Sequence, residues 1–157
     1  MSLTKTTYFV YLLCYVLVSS QLLFYLFILT DALRPVSLSN FIELRKSVDF
    51  LAEHRLRVLY YVSLPLSIAT VALLAPNRTS PLFITAVISC LCLLIDMAFA
   101  LKGNMPINAQ INNYTPNSGT NWEALRQQWL TFMQYRGVAI AIGITSLLAG
   151  LFLNQKS

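Results

Sequence analysis

Four stretches of the chain are almost wholly apolar, Tyr8 to Thr30, Val58 to Ala75, Pro81 to Leu101 and Gly137 to Leu153, and polar residues gather between them. At about 1.5 Å of rise per residue, each is long enough to cross a hydrocarbon core of about 30 Å as a helix. The first carries no charge over its 23 residues. It is too long for a signal-peptide core and runs on through Gln21-Leu22-Leu23 without a small-residue cleavage pattern, so it is expected in the mature protein. Helices are the open-chain way to satisfy backbone hydrogen bonds in lipid. The pattern therefore predicts an all-α, integral membrane four-helix bundle, a single four-span transmembrane domain over residues 1–157. Amphipathic helical extensions are expected on the second and fourth spans.

The connections Asp31 to Arg57 and Lys102 to Arg136 are long enough to hold chemistry. In the first, Ser39 or Asn40 can cap a helix that runs from about Asn40 to Ala75, with Glu43 within its first turn. Arg45, Asp49, Glu53 and Arg57 recur on it every four residues, the spacing of surface ion pairs. Phe50, His54, Arg57 and Tyr61 share another face. In the second connection, Gly103 reads as a stop to the third span. Pro106 suits the first turn of a new short helix, with Met105 extended before it. Asn112 to Gly119 is a polar breaker, and Asn121 can cap the helix that follows.

On that last helix, Trp122, Arg126, Trp129, Met133 and Arg136 fall within one stripe about 80° wide. An interfacial anchor built from tryptophan and arginine needs no such phasing. An inward-facing pocket does. Asp96, about one turn before the end of the third span, adds to this reading, because a carboxylate in a span faces partners or water. Arg126 or Arg136 can supply the partner.

A mean hydropathy of +0.64 and 11% charged residues fit this class and exclude an ordinary soluble domain. Lys and Arg cluster on one side of the spans, at positions 34, 45, 46, 55, 57, 102, 126 and 136, against 5, 78 and 156 on the other. The long connections are therefore expected in the cytoplasm and the termini outside, in a plasma or bacterial inner membrane. The net charge of +5 requires no nucleic acid, since cations beside spans meet lipid head groups. Cys14, Cys90 and Cys92 fall in spans and read as packing residues. His54 is the one histidine. It can be a base or a single axial ligand, and cannot alone build a multi-histidine metal site. The cofactor is open: none is required, and haem or a metal is compatible. Small size favours a homo-oligomer.

The run Gly103-Asn104-Met105-Pro106-Ile107-Asn108, followed by Trp122, Arg126, Trp129 and Arg136, resembles the signature of the anthrone-oxygenase-like membrane family, a domain of unknown function with four transmembrane helices. The resemblance implies oxidation of an anthrone to an anthraquinone by dioxygen. Methionine stands at 133, where members often carry a histidine. Such chemistry needs a base, donors for an oxyanion and aromatic walls. The candidates are Asp96 or His54 as the base, Asn104, Asn108, Arg126 and Arg136 as donors, and Trp122 and Trp129 as walls. The expected function is oxygenase-like action on an amphipathic aromatic, anthrone- or quinol-like. The alternatives are a non-catalytic haem, quinone or lipid binding protein, and a structural subunit of a membrane complex.

Overall fold

The computed structural model describes residues 3–115 and 120–154, with 51–53 described by their backbone. Four helical runs account for nearly all of this: α1 (Leu3–Leu33), α2 (Leu38–Leu74), α3 (Pro81–Asn112) and α4 (Trp122–Asn154). Each contains a stretch long and apolar enough to cross a membrane. The chain is thus an all-α integral membrane bundle.

Local chemistry sets the helix starts. The Ser37 hydroxyl accepts from the Asn40 amide and caps α2, ahead of the Ser39 or Asn40 expected from sequence. Ser80 caps α3 by accepting from the Phe83 amide, with Pro81 in the first turn where no amide hydrogen is needed. The Asn121 side chain accepts from the Ala124 amide and caps α4 as expected.

Two helices contain a π-turn, at Tyr25–Leu29 in α1 and Ala100–Asn104 in α3. The second overturns two expectations. Gly103 does not stop the helix, and Met105 is helical, at φ −65° and ψ −45°, although it precedes a proline. In a regular helix a proline ring collides with the carbonyl four residues back. The turn just ahead of Pro106 is widened, with the Met105 amide bonded to the Ala100 carbonyl, so the helix absorbs the proline and continues to Asn112.

The extra residue of that turn resets the direction of everything after it by about 100°. In an uninterrupted α-helix, Asn104 would point about 80° away from Asp96. With one residue absorbed by the π-turn, Asn104 and Asn108 each fall within about 20° of it. The polar face of α3 is therefore continuous across the membrane edge.

The helices form a square in chain order. α3 and α4 share the most extensive contact, α1 packs on α2 and α4, and α2 packs on α3. The α1–α4 seam is close because glycine faces it. A Cβ added at Gly143 would lie 1.8 Å from the Tyr15 hydroxyl, and one at Gly137 would lie 2.7 Å from Leu26 Cβ. Small residues at such seams let helices approach where lipid offers no hydrophobic drive. Large apolar side chains, from Phe9 and Ile84 at one end to Phe27, Met105 and Tyr135 at the other, are exposed around the outside. They form the lipid-facing belt.

Candidate functional site

Asp96 is 0% exposed. Its two oxygens are both engaged: Oδ1 accepts from Arg136 Nε at 2.7 Å, and Oδ2 accepts from the Tyr60 hydroxyl. Arg136 spreads its remaining donors over the same centre. Nη2 donates to Tyr60 Oη at 3.2 Å, and Nη1 reaches Asn104 Oδ1 at 3.4 Å and Met133 Sδ at 3.7 Å. The Asn104 amide donates in turn to the Trp129 carbonyl at 3.1 Å. Three helices are thereby tied to one carboxylate, as expected of a charge that cannot face lipid.

A second cluster lies nearer the polar end. Arg45 is 6% exposed, and its guanidinium stacks 4.3 Å from the Trp129 ring centroid. Asn108 Oδ1 accepts from Trp129 Nε1 at 2.8 Å and from Arg45 Nη2 at 3.3 Å. The amides of Asn108 and Asn112 each donate to one oxygen of Asp49, at 3.0 and 2.9 Å. Burial lowers the pKa of Arg45, with Tyr25 and Asp49 acting against that shift. An arginine stays protonated across the physiological range regardless. The cluster therefore holds a fixed cation.

Between the clusters is a cavity of about 420 Å³, within the range of small-molecule sites. Its polar lining includes Arg45, Asp49, Arg57, Asn104, Asn108, Asn112 and Arg136; Tyr25, Tyr60, Met97, Trp129 and Met133 supply aromatic and thioether wall. Tyr61, Leu101 and Met105 line it too, and each is itself exposed on the outer surface. The cavity accordingly opens sideways between α2 and α3, at the edge of the apolar belt.

Of the donors and walls named from sequence, Asn104, Asn108, Trp129 and Arg136 line this cavity. Asp96 lies behind its wall, bonded to two lining residues. His54 is exposed and outside the lining, and so is the half-buried Trp122, whose ring packs edge-on against Tyr114 at 4.8 Å. Met133 is buried and lines the cavity, whereas His54, the other candidate for a single axial ligand, does not. Among the described residues, no group of three or more His, Cys, Asp or Glu could hold a metal ion. The ladder Arg45-Asp49-Glu53-Arg57 resolves differently from a solvated surface row. Its first pair is largely buried, at 3.5 Å, Arg57 lines the cavity, and the Glu53 side chain lies outside the described residues.

Tyr60 was not foreseen, though the sequence contains its signal. Taking Arg45 as zero at 100° per residue, Asp49, Leu56 and Tyr60 point to about 40°, 20° and 60°, one narrow face. A strict four-residue repeat drifts about 40° at each step, which carries Arg57 to about 120° and leaves His54 at about 180°. His54 is exposed for that reason.

Arg126 is buried but does not reach the cavity. It donates to the Val36 carbonyl and to Glu123 Oε1 at 2.7 Å, and it lies 6.0 Å over the Phe41 ring. It fastens the α1–α2 connection to α4. Arg126→Ala is expected to cost about 1.5–3 kcal/mol of stability, the scale of a charge-assisted hydrogen bond. Cavity ligands should bind the folded variant within about threefold of wild type. Thermal unfolding in detergent alongside ligand titration checks both, and a stable variant with lost affinity would return Arg126 to the binding site. No protein-family model, curated protein or solved structure matches the chain.

Proposed function

We propose that this protein takes an amphipathic aromatic molecule, anthrone- or quinol-like, into the cavity at the membrane edge and oxidises it with dioxygen. The observation that carries the reading is the Tyr60–Asp96–Arg136 triad, with its phenol and guanidinium on the cavity wall and its carboxylate sealed behind. Tyr60 can accept a proton from an activated ring methylene as its own proton moves to Asp96, so that the carboxylate is the base and the phenol relays to it beside Arg136. Asn104 and Arg136 stand as donors to the ring oxygen on which the charge collects. Electron transfer from that delocalised anion to dioxygen begins the oxidation. Over the whole reaction the methylene becomes a carbonyl, one oxygen atom of dioxygen is retained, and the other leaves as water with the two hydrogens. The resemblance to the anthrone-oxygenase-like family supports this chemistry, and we place the polar end of the cavity on the cytoplasmic side from the bias of Lys and Arg.

A carrier of quinones or lipids, without catalysis, is the second reading. It is favoured by the saturation of Asp96, both of whose oxygens are occupied. An oxygen electrode with detergent-purified protein and 1,8-dihydroxyanthrone separates the two. Oxygenase action should consume one dioxygen per anthrone. Tyr60→Phe should lower turnover about 100-fold, the lower end of acid–base contributions, with affinity held within a few-fold. Binding without oxygen uptake leaves the carrier. Failure to bind the aromatic rejects both readings.

A further inference from the structure

Gln21 is an amide in the middle of an apolar span, in the run Leu17-Val18-Ser19-Ser20-Gln21-Leu22-Leu23-Phe24. Its neighbours Ser19 and Ser20 satisfy their hydroxyls by donating to the Tyr15 and Leu17 carbonyls. The Gln21 side chain makes no hydrogen bond to any described residue. It is half-buried and lines the cavity, one turn before Tyr25 on the same side of α1. Its polar atoms are open. The sealed polar atoms without a partner among the described residues belong to Tyr15, Thr30, Arg45 and Arg126, so both ends of the Gln21 amide remain within reach of a molecule in the cavity. A Cβ at Gly137 would lie 3.0 Å from the Leu22 carbonyl, which puts Gln21 within about a turn of Arg136 along the bundle axis. Other side-chain oxygens of the polar wall already accept. Asn104 Oδ1 takes Arg136 Nη1, Asn108 Oδ1 takes Trp129 and Arg45, and the Asp49 carboxylate takes Asn108 and Asn112. Arg136 offers donors and no acceptor. A ligand O–H therefore finds its open acceptor at Gln21 Oε1.

We infer that Gln21 is the subsite for a neutral hydroxyl of the ligand, and that the cavity selects ring systems carrying a free phenolic or quinolic hydroxyl over the same rings methylated or unsubstituted. This deepens the proposed function, on which it rests, by naming the substrate class. The hydroxyl would donate to Gln21 Oε1 from the α1 side while a second ring oxygen accepts from Arg136 on the α4 side. Held from two helices, the ring is oriented before chemistry begins. A pocket that bonds a substrate hydroxyl rejects the analogue without one, because the pocket's own polar group is then left unpaired. A methyl ether keeps the oxygen and loses the donor, so it isolates this contact from any bond the ligand oxygen accepts.

The experiment titrates detergent-purified Trp122→Phe protein, in which Trp129 is the remaining indole, with anthracene, 2-hydroxyanthracene and 2-methoxyanthracene at neutral pH, where a phenol keeps its proton. Quenching of Trp129 emission gives each affinity, expressed per volume of micelle so that partitioning of the probes does not enter. The hydroxy probe should bind about fivefold or more tightly than the methoxy probe, the scale of one neutral hydrogen bond. Gln21→Met keeps the length of the side chain and removes the amide. It should reduce that preference to about twofold or less while changing anthracene affinity little. Thermal unfolding of the methionine variant should be unchanged or raised, since no hydrogen bond within the protein is lost. Equal binding of the hydroxy and methoxy probes before mutation overturns the inference and leaves the proposed function standing. An undiminished preference in Gln21→Met also overturns it. So does a marked fall in the stability of that variant, which would show the amide to be bonded within the bundle. Binding of none of the three probes overturns both.

Discussion

Replacing Asp96 with leucine should cost about 3–5 kcal/mol and leave little folded protein, the penalty of stranding a buried charge without its partner. Arg136 would lose its 2.7 Å ion pair, and Tyr60 would lose its acceptor, in a centre that three helices share. Asp96→Asn should be milder, because an amide oxygen can still accept one bond although the charge is gone. The decisive variant is the pair Asp96→Leu with Arg136→Met, which removes both charges together. Replacing a buried ion pair with apolar groups is often neutral or stabilising. The double variant should therefore recover most of the stability lost by Asp96→Leu and, if the proposed oxidation holds, none of that activity. Thermal unfolding in detergent and ligand-dependent oxygen uptake check the two halves separately. If Asp96→Leu alone were as stable as wild type, the carboxylate would not be the knot that ties α2, α3 and α4.

Deleting Lys102 should have a comparably large effect by a different route. Lys102 is exposed, in the middle of the π-turn, so its side chain is not needed for packing. Its removal takes out the extra residue of the turn and rotates Asn104 and Asn108 by about 100° away from the Asp96 face. The bonds from Asn104 to Trp129 and Arg136, and from Asn108 to Trp129, Arg45 and Asp49, would then be lost together. At roughly 1 kcal/mol net for each, the five bonds hold the cavity wall with about 5 kcal/mol, so thermal stability should fall by several kcal/mol and ligand affinity with it. The deletion also returns Pro106 to a regular turn, at a cost of about 3 kcal/mol, so thermal unfolding is to be read beside affinity. Substituting Lys102 with alanine, which keeps the count of residues, should be close to silent. Equal loss in both variants would assign the effect to the side chain and not to the phase of the helix.

The same arithmetic explains what the sequence disclosed. Trp129, Met133 and Arg136 were readable because α4 is an uninterrupted helix there, so spacing translates directly into direction. Asp96 announced itself by the cost of a carboxylate among apolar residues. Asn104 and Asn108 stood out by type, but their alignment with Asp96 depends on a π-turn that no propensity signals. Gly103 and Pro106 pointed instead to a break in the helix. On α2 the error was one of counting. Following charges at strict four-residue steps led from Arg45 to Arg57, and the face of Phe50 and Tyr61 led to His54, whereas the cavity-lining face runs from Arg45 through Asp49 and Leu56 to Tyr60. Arg126 and Trp122 carried the right phase and the wrong depth. They lie beyond the end of the cavity, where the α4 face meets the α1–α2 connection and Tyr114.

The side opening between α2 and α3 changes what affinity means for this protein. Tyr61, 69% exposed, and Leu101 flank the opening, so a hydrophobic ligand of the proposed kind would arrive from the bilayer, and the relevant concentration would be moles per volume of lipid. A compound that partitions a thousandfold into membrane would present a thousandfold higher local concentration, about 4 kcal/mol of apparent binding that no residue in the cavity supplies. The apparent dissociation constant, expressed per litre of buffer, would then weaken in proportion as lipid is added at fixed protein, while the constant expressed per litre of bilayer stays the same. Selectivity in the cell would follow as much from which molecules dissolve in the surrounding leaflet as from the fit of Trp129 and Arg45 around them.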